Sequence, residues 1–387
     1  MNGKNLRYGY TTGSCAAAAV KGAAQMLRDQ VLVDEVELTL PCGETARFRL
    51  LGGVLHDNTA SCYVVKDAGD DPDVTNGAEI HATARVDFFT RHSIVIEGGA
   101  GIGRVTKPGL AVPVGEWAIN PVPRRMIMEV IKEVFAVRCV PATFTFTISI
   151  PNGEELAKKT LNERLGIIGG LSILGTSGIV KPISTKAWTD TVDASIDVAL
   201  ACGSDTVVLS TGRTSELAVQ RQLAPKGELS EESFVMMGDH FGYSLRSCAG
   251  KGVPKVIVAG QFAKLVKIAC GHQQTHVSSS ELDLATLADW LKESPDTAHL
   301  EPLARSANTA RHLLETSGCH QGMIELICGK VAEACARCAP GLSVRIFLAG
   351  YQGEMLFLRE PAAGESVPVA PELTTSAGSA VKTMQLL

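Results

Sequence analysis

Apolar and polar positions alternate along several segments of the first third of the chain: Glu35 to Leu40, Ala46 to Leu50, Ile80 to Phe88 and His92 to Glu97. That period predicts half-buried strands, and Cys62 to Lys66 joins them as a short run of β-formers. A helix precedes the strands. Arg7-Tyr8-Gly9-Tyr10-Thr11-Thr12-Gly13-Ser14 ends in capping residues, and Cys15 to Leu27 is an Ala-rich run that lets a helix lie close to a neighbour. Lys66 to Asp73 is a turn-rich acidic loop. A Gly- and Pro-rich segment runs from Gly98 to Pro123, a helix is expected roughly over 124–137, and Thr143 to Ile150 alternates as a strand leading out of this half.

The rhythm then changes. Glu154 to Leu165 has a helical pattern, Gly169 to Ser184 is a Gly, Ser and Thr loop, and a helix follows from about Asp190 to Cys202. Three strand–loop–helix units come next. Their strands are Thr206–Leu209, Phe234–Met237 and Lys255–Ala259, and their loops carry Ser210-Thr211-Gly212-Arg213, Gly238-Asp239-His240 and Gly260-Gln261. Short apolar strands alternating with helices predict a parallel, doubly wound sheet. The chain reads as helical to about Cys338, and Ser343 to Arg359 reads as a strand pair turning at Gln352-Gly353. The fold class is therefore α/β, with a mixed α+β N-terminal half and a doubly wound parallel C-terminal half. Two domains are expected, over 1–150 and 151–360, with a loosely ordered tail over 361–387.

Composition narrows the function. The 387 residues are 45% hydrophobic, enough for two substantial cores, and only 5% aromatic. A net charge of −5 gives no general attraction to nucleic acid or acidic membranes. Lys21 and Arg28 interrupt the apolar stretch near the N-terminus, so neither a leader nor a membrane span is expected there, and the chain reads as soluble and cytoplasmic. The 11 cysteines, among them Cys139, Cys202, Cys270 and Cys328, scatter through apolar segments and read as reduced thiols. Neither the lone Cys335/Cys338 pair nor the His272/His276 spacing completes a metal site, so no metal is expected.

Parallel sheets bind ligands where loops leave the carboxyl ends of strands, which singles out Thr211, Gly212, Arg213, Asp239, His240, Gly260 and Gln261. Asp239 is placed either to take ribose hydroxyls or to cap the following helix. The loop Gly169-Gly170 to Gly178 either cradles an anionic or nucleoside group or is a structural connection. Glu97-Gly98-Gly99-Ala100-Gly101-Ile102-Gly103 has the spacing of an adenosylmethionine loop, but no helix follows it, and a structural or substrate-facing turn fits better. Thr11, Thr12, Gly13 and Ser14 offer either an anion site or ordinary capping. The acids Asp67, Asp70, Asp71 and Asp73 are turn residues, cation ligands or a proton acceptor.

The stretches LRYGYTTGSCAAAA (6–19), VKDAGDDPDVTNGAEI (65–80), GIGRVTKPGL (101–110), AINPVPRRMI (118–127), GGLSILGTSGIVKPIS (169–184), STGRTSE (210–216), MGDHFGYSL (237–245) and KLVKIACGHQQTH (264–276) together resemble the cobalt-precorrin-5B C1-methyltransferase family of the oxygen-independent cobalamin pathway. The resemblance covers most of residues 6–276, in the family's order, and is looser in the C-terminal third. It implies two α/β domains and transfer of the methyl group of S-adenosylmethionine to C1 of cobalt-precorrin-5B, giving cobalt-precorrin-6A, with no further cofactor. On that footing Gly169, Gly170, Thr211, Gly212, Arg213, Asp239 and His240 are expected at the cofactor. Thr11, Thr12, Gly13, Ser14, Lys66, Lys107 and Lys181 are expected at the substrate, with Arg124 and Arg125 as further partners for its carboxylates. Asp67 or Asp70 would serve proton balance. The partner is then a small-molecule cobalt-precorrin rather than a nucleic acid or a membrane, and a homo-oligomer is allowed. A nucleotide-dependent oxidoreductase and a non-catalytic tetrapyrrole-binding protein are the alternatives.

Overall fold

The computed structural model describes residues 6–89, 91–135, 141–182, 184–227 and 229–361. Cys139, the end of the helix expected over 124–137, and the expected tail beyond its first residue lie outside them.

The chain opens with β1 (Gly9–Tyr10) and α1 (Thr12–Asp29), followed by β2 (Glu35–Thr39), β3 (Thr45–Arg49), β4 (Leu51–His56), β5 (Thr59–Val65), β6 (Glu79–Phe88), β7 (Ser93–Gly98) and β8 (Arg104–Val105). Next come α2 (Pro121–Phe135), β9 (Ala142–Ser149), α3 (Gly153–Ala157), β10 (Ile167–Ile168) and β11 (Ile179–Val180). The first sheet has the order β4-β5-β6-β9-β7, antiparallel except for the β9–β7 pair. The strand expected to lead out of this half is therefore an interior strand. Its Phe144, Phe146 and Ile148 face α1 and α2 in the same core as Ala60, Cys62, Ile80 and Ala82. The opposite face carries half-buried Ser61, Thr83 and Thr147, aligned across β5, β6 and β9, with Thr145 opposite Arg85, and that side stays polar.

Helix α1 is buried along nearly its whole length, with Ala16 to Ala19 fully enclosed between the sheet and α2. Alanine supplies helix propensity without bulk, so α1 can pack on two sides. Lys21, also buried, donates from Nζ to the Glu37 carbonyl oxygen (2.9 Å) and to Glu133 (2.7 Å).

One local expectation fails and one strand was not expected, each for an identifiable reason. The helix expected over 154–165 stops at Ala157. Thr160 turns its hydroxyl to the Ala157 carbonyl oxygen and accepts from the Asn162 amide, a local pattern that competes with helix continuation. Strand β4 was hidden by Gly52-Gly53, where its pairing with β5 shifts register. The segment after residue 150 also stays with the first sheet's core. β10 pairs with β8, β11 pairs with β1, and Leu171 and Ile173 belong to the first core.

The second sheet is built from α4 (Thr185–Ala201), β12 (Thr206–Ser210), α5 (Arg213–Leu223), β13 (Phe234–Met236), α6 (Phe241–Gly250), β14 (Lys255–Gln261), α7 (Phe262–Ala269), α8 (Leu284–Lys292), α9 (Glu301–Ser306), α10 (Ala310–Thr316), α11 (Gln321–Cys338), β15 (Ser343–Ala349) and β16 (Met355–Arg359). Its order is β13-β12-β14-β15-β16, with the first four strands parallel and β16 antiparallel. Alternate residues point to opposite layers. Val207, Leu209, Val256 and Val258 meet α4, α6, α7 and α11, whereas Val208, Ile257 and Phe347 meet α5. Helices on both faces explain why these strands are apolar throughout. Among the described residues no helix is long and apolar enough to cross a membrane.

Candidate active site

Because α5 covers one face of the second sheet and α7 the other, the loops leaving β12 and β14 diverge. In open α/β sheets such a switch point marks the crevice where ligands are placed, flanked here by Thr211-Gly212 and Gly260-Gln261. The Thr211 amide donates to the Ala259 carbonyl oxygen (2.9 Å), which carries the β12–β14 ladder one residue further. Gly212 is extended, and a β-carbon added there would meet nothing within 4 Å. No side chain caps the start of α5.

Asp239 follows β13 on the adjoining side. Lys264 forms an ion pair with its Oδ1, and Thr275 donates to the same oxygen from Oγ1 (2.7 Å). Both contacts fall on one oxygen, leaving Oδ2 directed elsewhere. Burial works to raise this carboxyl, but the Lys264 and Thr275 hydrogen bonds and the Lys264 charge outweigh it and hold it below the ordinary carboxylate value. Asp239 is thus a fixed anion and hydrogen-bond acceptor. It does not cap α6, whose N-cap is His240. Lys267, itself buried, donates to the Thr275 and Ser280 carbonyl oxygens (3.1 and 2.9 Å) and pins the loop that carries Thr275.

Arg213 points to Glu216, whose carboxylate is fully buried. The other oxygen of Glu216 accepts from Arg164 Nη2 (2.9 Å), which also donates to the Phe234 carbonyl oxygen (2.9 Å). Arg164 therefore stitches the segment before the glycine loop to the second sheet. Lys107 makes a parallel tie, 2.9 Å from Glu232.

Other sequence-singled residues have structural tasks. The donors of Thr11 to Ser14 are spent inside the chain. Gly13 donates to the Leu174 carbonyl oxygen (2.9 Å), the Ser14 amide to Thr11 Oγ1 (3.2 Å), and Ser14 Oγ to the Gly178 carbonyl oxygen (2.8 Å). Gly170 is pressed against the backbone of Gly101 and Ile102, away from any ligand space, while Gly169 has nothing within 4 Å of an added β-carbon. Asp67 pairs with Arg7, and Asp70 accepts from the Arg7 amide (2.7 Å). The Arg7 hydrogen bond holds the Asp67 carboxyl below its ordinary value, which makes it a weak proton acceptor. Lys66 is buried against Asp73 at 2.6 Å. Lys181, Arg124 and Arg125 are exposed, and the Lys181 ammonium lies 5.9 Å over the Tyr8 ring.

The Lys66–Asp73 pair has a pH consequence. Burial pushes the Asp73 carboxyl up, but the Lys66 charge and hydrogen bonds from Lys66 and Thr75 outweigh it and leave it depressed. A carboxyl depressed on folding contributes stability above its unfolded pKa of about 3.9 and loses it as pH falls through the folded value. Lys66→Met should cost about 2 kcal/mol at pH 7, below the roughly 3–5 kcal/mol of a fully buried pair broken on one side, because Asp73 retains some water. It should also flatten the loss of urea resistance below about pH 4. Parallel acid limbs in the two proteins would contradict this reading.

Burial pushes the thiols of Cys15, Cys62, Cys248 and Cys328 up to about 12, which makes them unreactive packing groups. Among the described residues no group of three or more His, Cys, Asp or Glu side chains is arranged to hold a metal. A cavity of about 390 Å³ lies at the amino ends of β12, β14 and β15, the opposite end from the crevice, and one of about 20 Å³ beside Arg164 has room for little more than water. Neither has the position expected of a ligand site in a parallel sheet.

Three residues that hold this region together escaped the sequence reading. Arg164 carries no motif. Lys264 and Thr275 stand within KLVKIACGHQQTH, and their pairing with Asp239 appears only once the sheet is folded.

A family model described as CbiD matches residues 1–182, and one described as CbiD, C-terminal domain, matches residues 274–360. A curated cobalt-precorrin-5B C(1)-methyltransferase from Citrifermentans bemidjiense is 75% identical over 92% of this chain and 99% of its own length. Proteins of the same description from Geobacter sulfurreducens and Geobacillus kaustophilus are 62% and 43% identical, over 92% and 87% of this chain and 99% and 88% of theirs. A solved cobalamin biosynthesis protein (cbiD) from Archaeoglobus fulgidus is 29% identical with a TM-score of 0.38, over 69% of this chain and 81% of that one.

Proposed function

Because this chain belongs to the CbiD family, we propose that it is a cobalt-precorrin-5B C1-methyltransferase of cobalamin biosynthesis, with its methyl donor at the carboxyl edge of the second sheet and the macrocycle on the side of the first unit. The match along nearly the whole length of the curated relatives carries the activity. The open space at Gly212, at the switch point of the sheet, supports the placement of the donor.

S-adenosylmethionine supplies, when bound, a methyl group made electrophilic by a positively charged sulfur. The residues present fit such a molecule. Gly212 leaves backbone accessible beside the uncapped start of α5, and Asp239 keeps one carboxylate oxygen for sugar hydroxyls. Thr211, Arg213 and His240 flank that space, and Gly169 keeps open backbone on the glycine loop. Lys181, Arg124 and Arg125 are the exposed cations we assign to the substrate's carboxylates.

Lys66 and Lys107 serve the frame, since their ammonium groups are committed to Asp73 and Glu232. Thr11, Thr12, Gly13, Ser14 and Gly170 hold α1 and the glycine loop in place. Asp67 and Asp70 fasten the N-terminal strap to the acidic loop, and we assign them no proton transfer. The division between the two units falls at residues 181–184, after β11 has paired with β1. The protein's contribution to catalysis is alignment of the ring carbon with the reacting methyl and exclusion of water, with no covalent protein intermediate.

Calorimetric titration with S-adenosylhomocysteine tests the donor site. One site per chain is expected. Binding of NADPH in its place would favour the oxidoreductase reading instead.

A further inference from the structure

Trp188 stands in the first turn of α4, just after the link from the first unit, and is 45% exposed. Its position is fixed rather than loose. Nε1 donates to the Met237 carbonyl oxygen (3.1 Å), and the ring rests on Gly238, where a β-carbon would lie 2.9 Å from Cζ2. Gly238 also has φ +57, so a side chain at that position is disfavoured twice. The His240 ring lies 6.2 Å away, tilted by 37°. The other two tryptophans differ. Arg104 covers the Trp117 ring at 3.8 Å and Lys330 lies over Trp290 at 5.8 Å. Trp188 is therefore an indole whose N–H is satisfied, whose edge is anchored on Gly238, and whose apolar surface remains partly in water. Leaving that surface wet has a cost that contact with a flat ligand removes.

We propose that the exposed surface of Trp188 is the platform on which the flat tetrapyrrole ring stacks. The inference rests on the functional reading above and adds a substrate-positioning residue to it. Two flat ring systems enter such a site, the macrocycle and the adenine of the methyl donor. The layout favours the macrocycle. The switch point lies between β12 and β14, inside the sheet, whereas Trp188 stands at the carboxyl end of the edge strand β13, on the helix that arrives from the first unit.

The test uses the full chain and two separately titrated probes, S-adenosylhomocysteine and cobalt uroporphyrin, a stable polycarboxylate macrocycle. Trp188→Ala should weaken cobalt uroporphyrin binding about tenfold or more, as loss of an aromatic stacking partner does. S-adenosylhomocysteine affinity should stay within about twofold, which also reports an intact fold. Trp188→Phe should recover most of the loss. Unchanged macrocycle affinity in Trp188→Ala overturns the inference, and so does a loss confined to S-adenosylhomocysteine, which would assign the ring to adenine. Binding of S-adenosylhomocysteine but no macrocycle by the unmodified protein overturns this inference alone. Binding of neither removes the functional reading, and this inference with it.

Discussion

Gly212→Val is expected to weaken S-adenosylhomocysteine binding by at least about a hundredfold, equivalent to about 2.7 kcal/mol, while leaving the unfolding temperature within a degree or so. The two halves of that expectation come from one observation. Gly212 is extended, a conformation valine adopts readily, and nothing lies within 4 Å of an added β-carbon. The fold therefore has no reason to lose stability. The same open space lies at the switch point between β12 and β14 where we place the methyl donor, and a branched side chain would occupy it. Calorimetry and a thermal melt on the same sample separate the two effects. Unimpaired binding would move the donor away from this crevice.

Gly101→Ala is expected to do the reverse, with a stability loss above about 3 kcal/mol and no direct effect on ligand contacts. Gly101 has φ +73, where alanine is strained by about 1–2 kcal/mol. Its new β-carbon would also overlap the Ile150 carbonyl oxygen. Gly153 and Gly170 come equally close to Gly101, so three stretches of backbone cross at one point and none has slack to yield. The crossing joins the turn after β7, the start of α3 and the glycine loop. Its failure should therefore loosen the first unit as a whole. Urea unfolding of the variant measures the loss, and a change of less than about 1 kcal/mol would show that the crossing relaxes.

These glycines also show what could and could not be read in advance. Strands β12, β13 and β14 were legible because both faces are covered and their residues are apolar throughout, and Asp239 was legible as the polar residue that ends such a run. Glycine spacing was less informative. An added β-carbon meets open space at Gly212 and backbone at Gly101 and Gly170, and the residue type is the same in all three cases. Burial of charge was equally hidden. Lys66 reads as a surface cation until Asp73 is folded over it, and Arg164 gains its role only when Glu216 is brought beneath it. The acids of the 67–73 loop matched a proton acceptor by composition, but Arg7 and Lys66 fix Asp67 and Asp73 as ion pairs.

The direct test of the account is an incubation without air of the purified chain with cobalt-precorrin-5B and S-adenosylmethionine carrying carbon-13 in its methyl group. The account predicts equal amounts of S-adenosylhomocysteine and a labelled ring, with the new carbon at C1. Label on another ring carbon, or no transfer by a chain that binds both compounds, would contradict it.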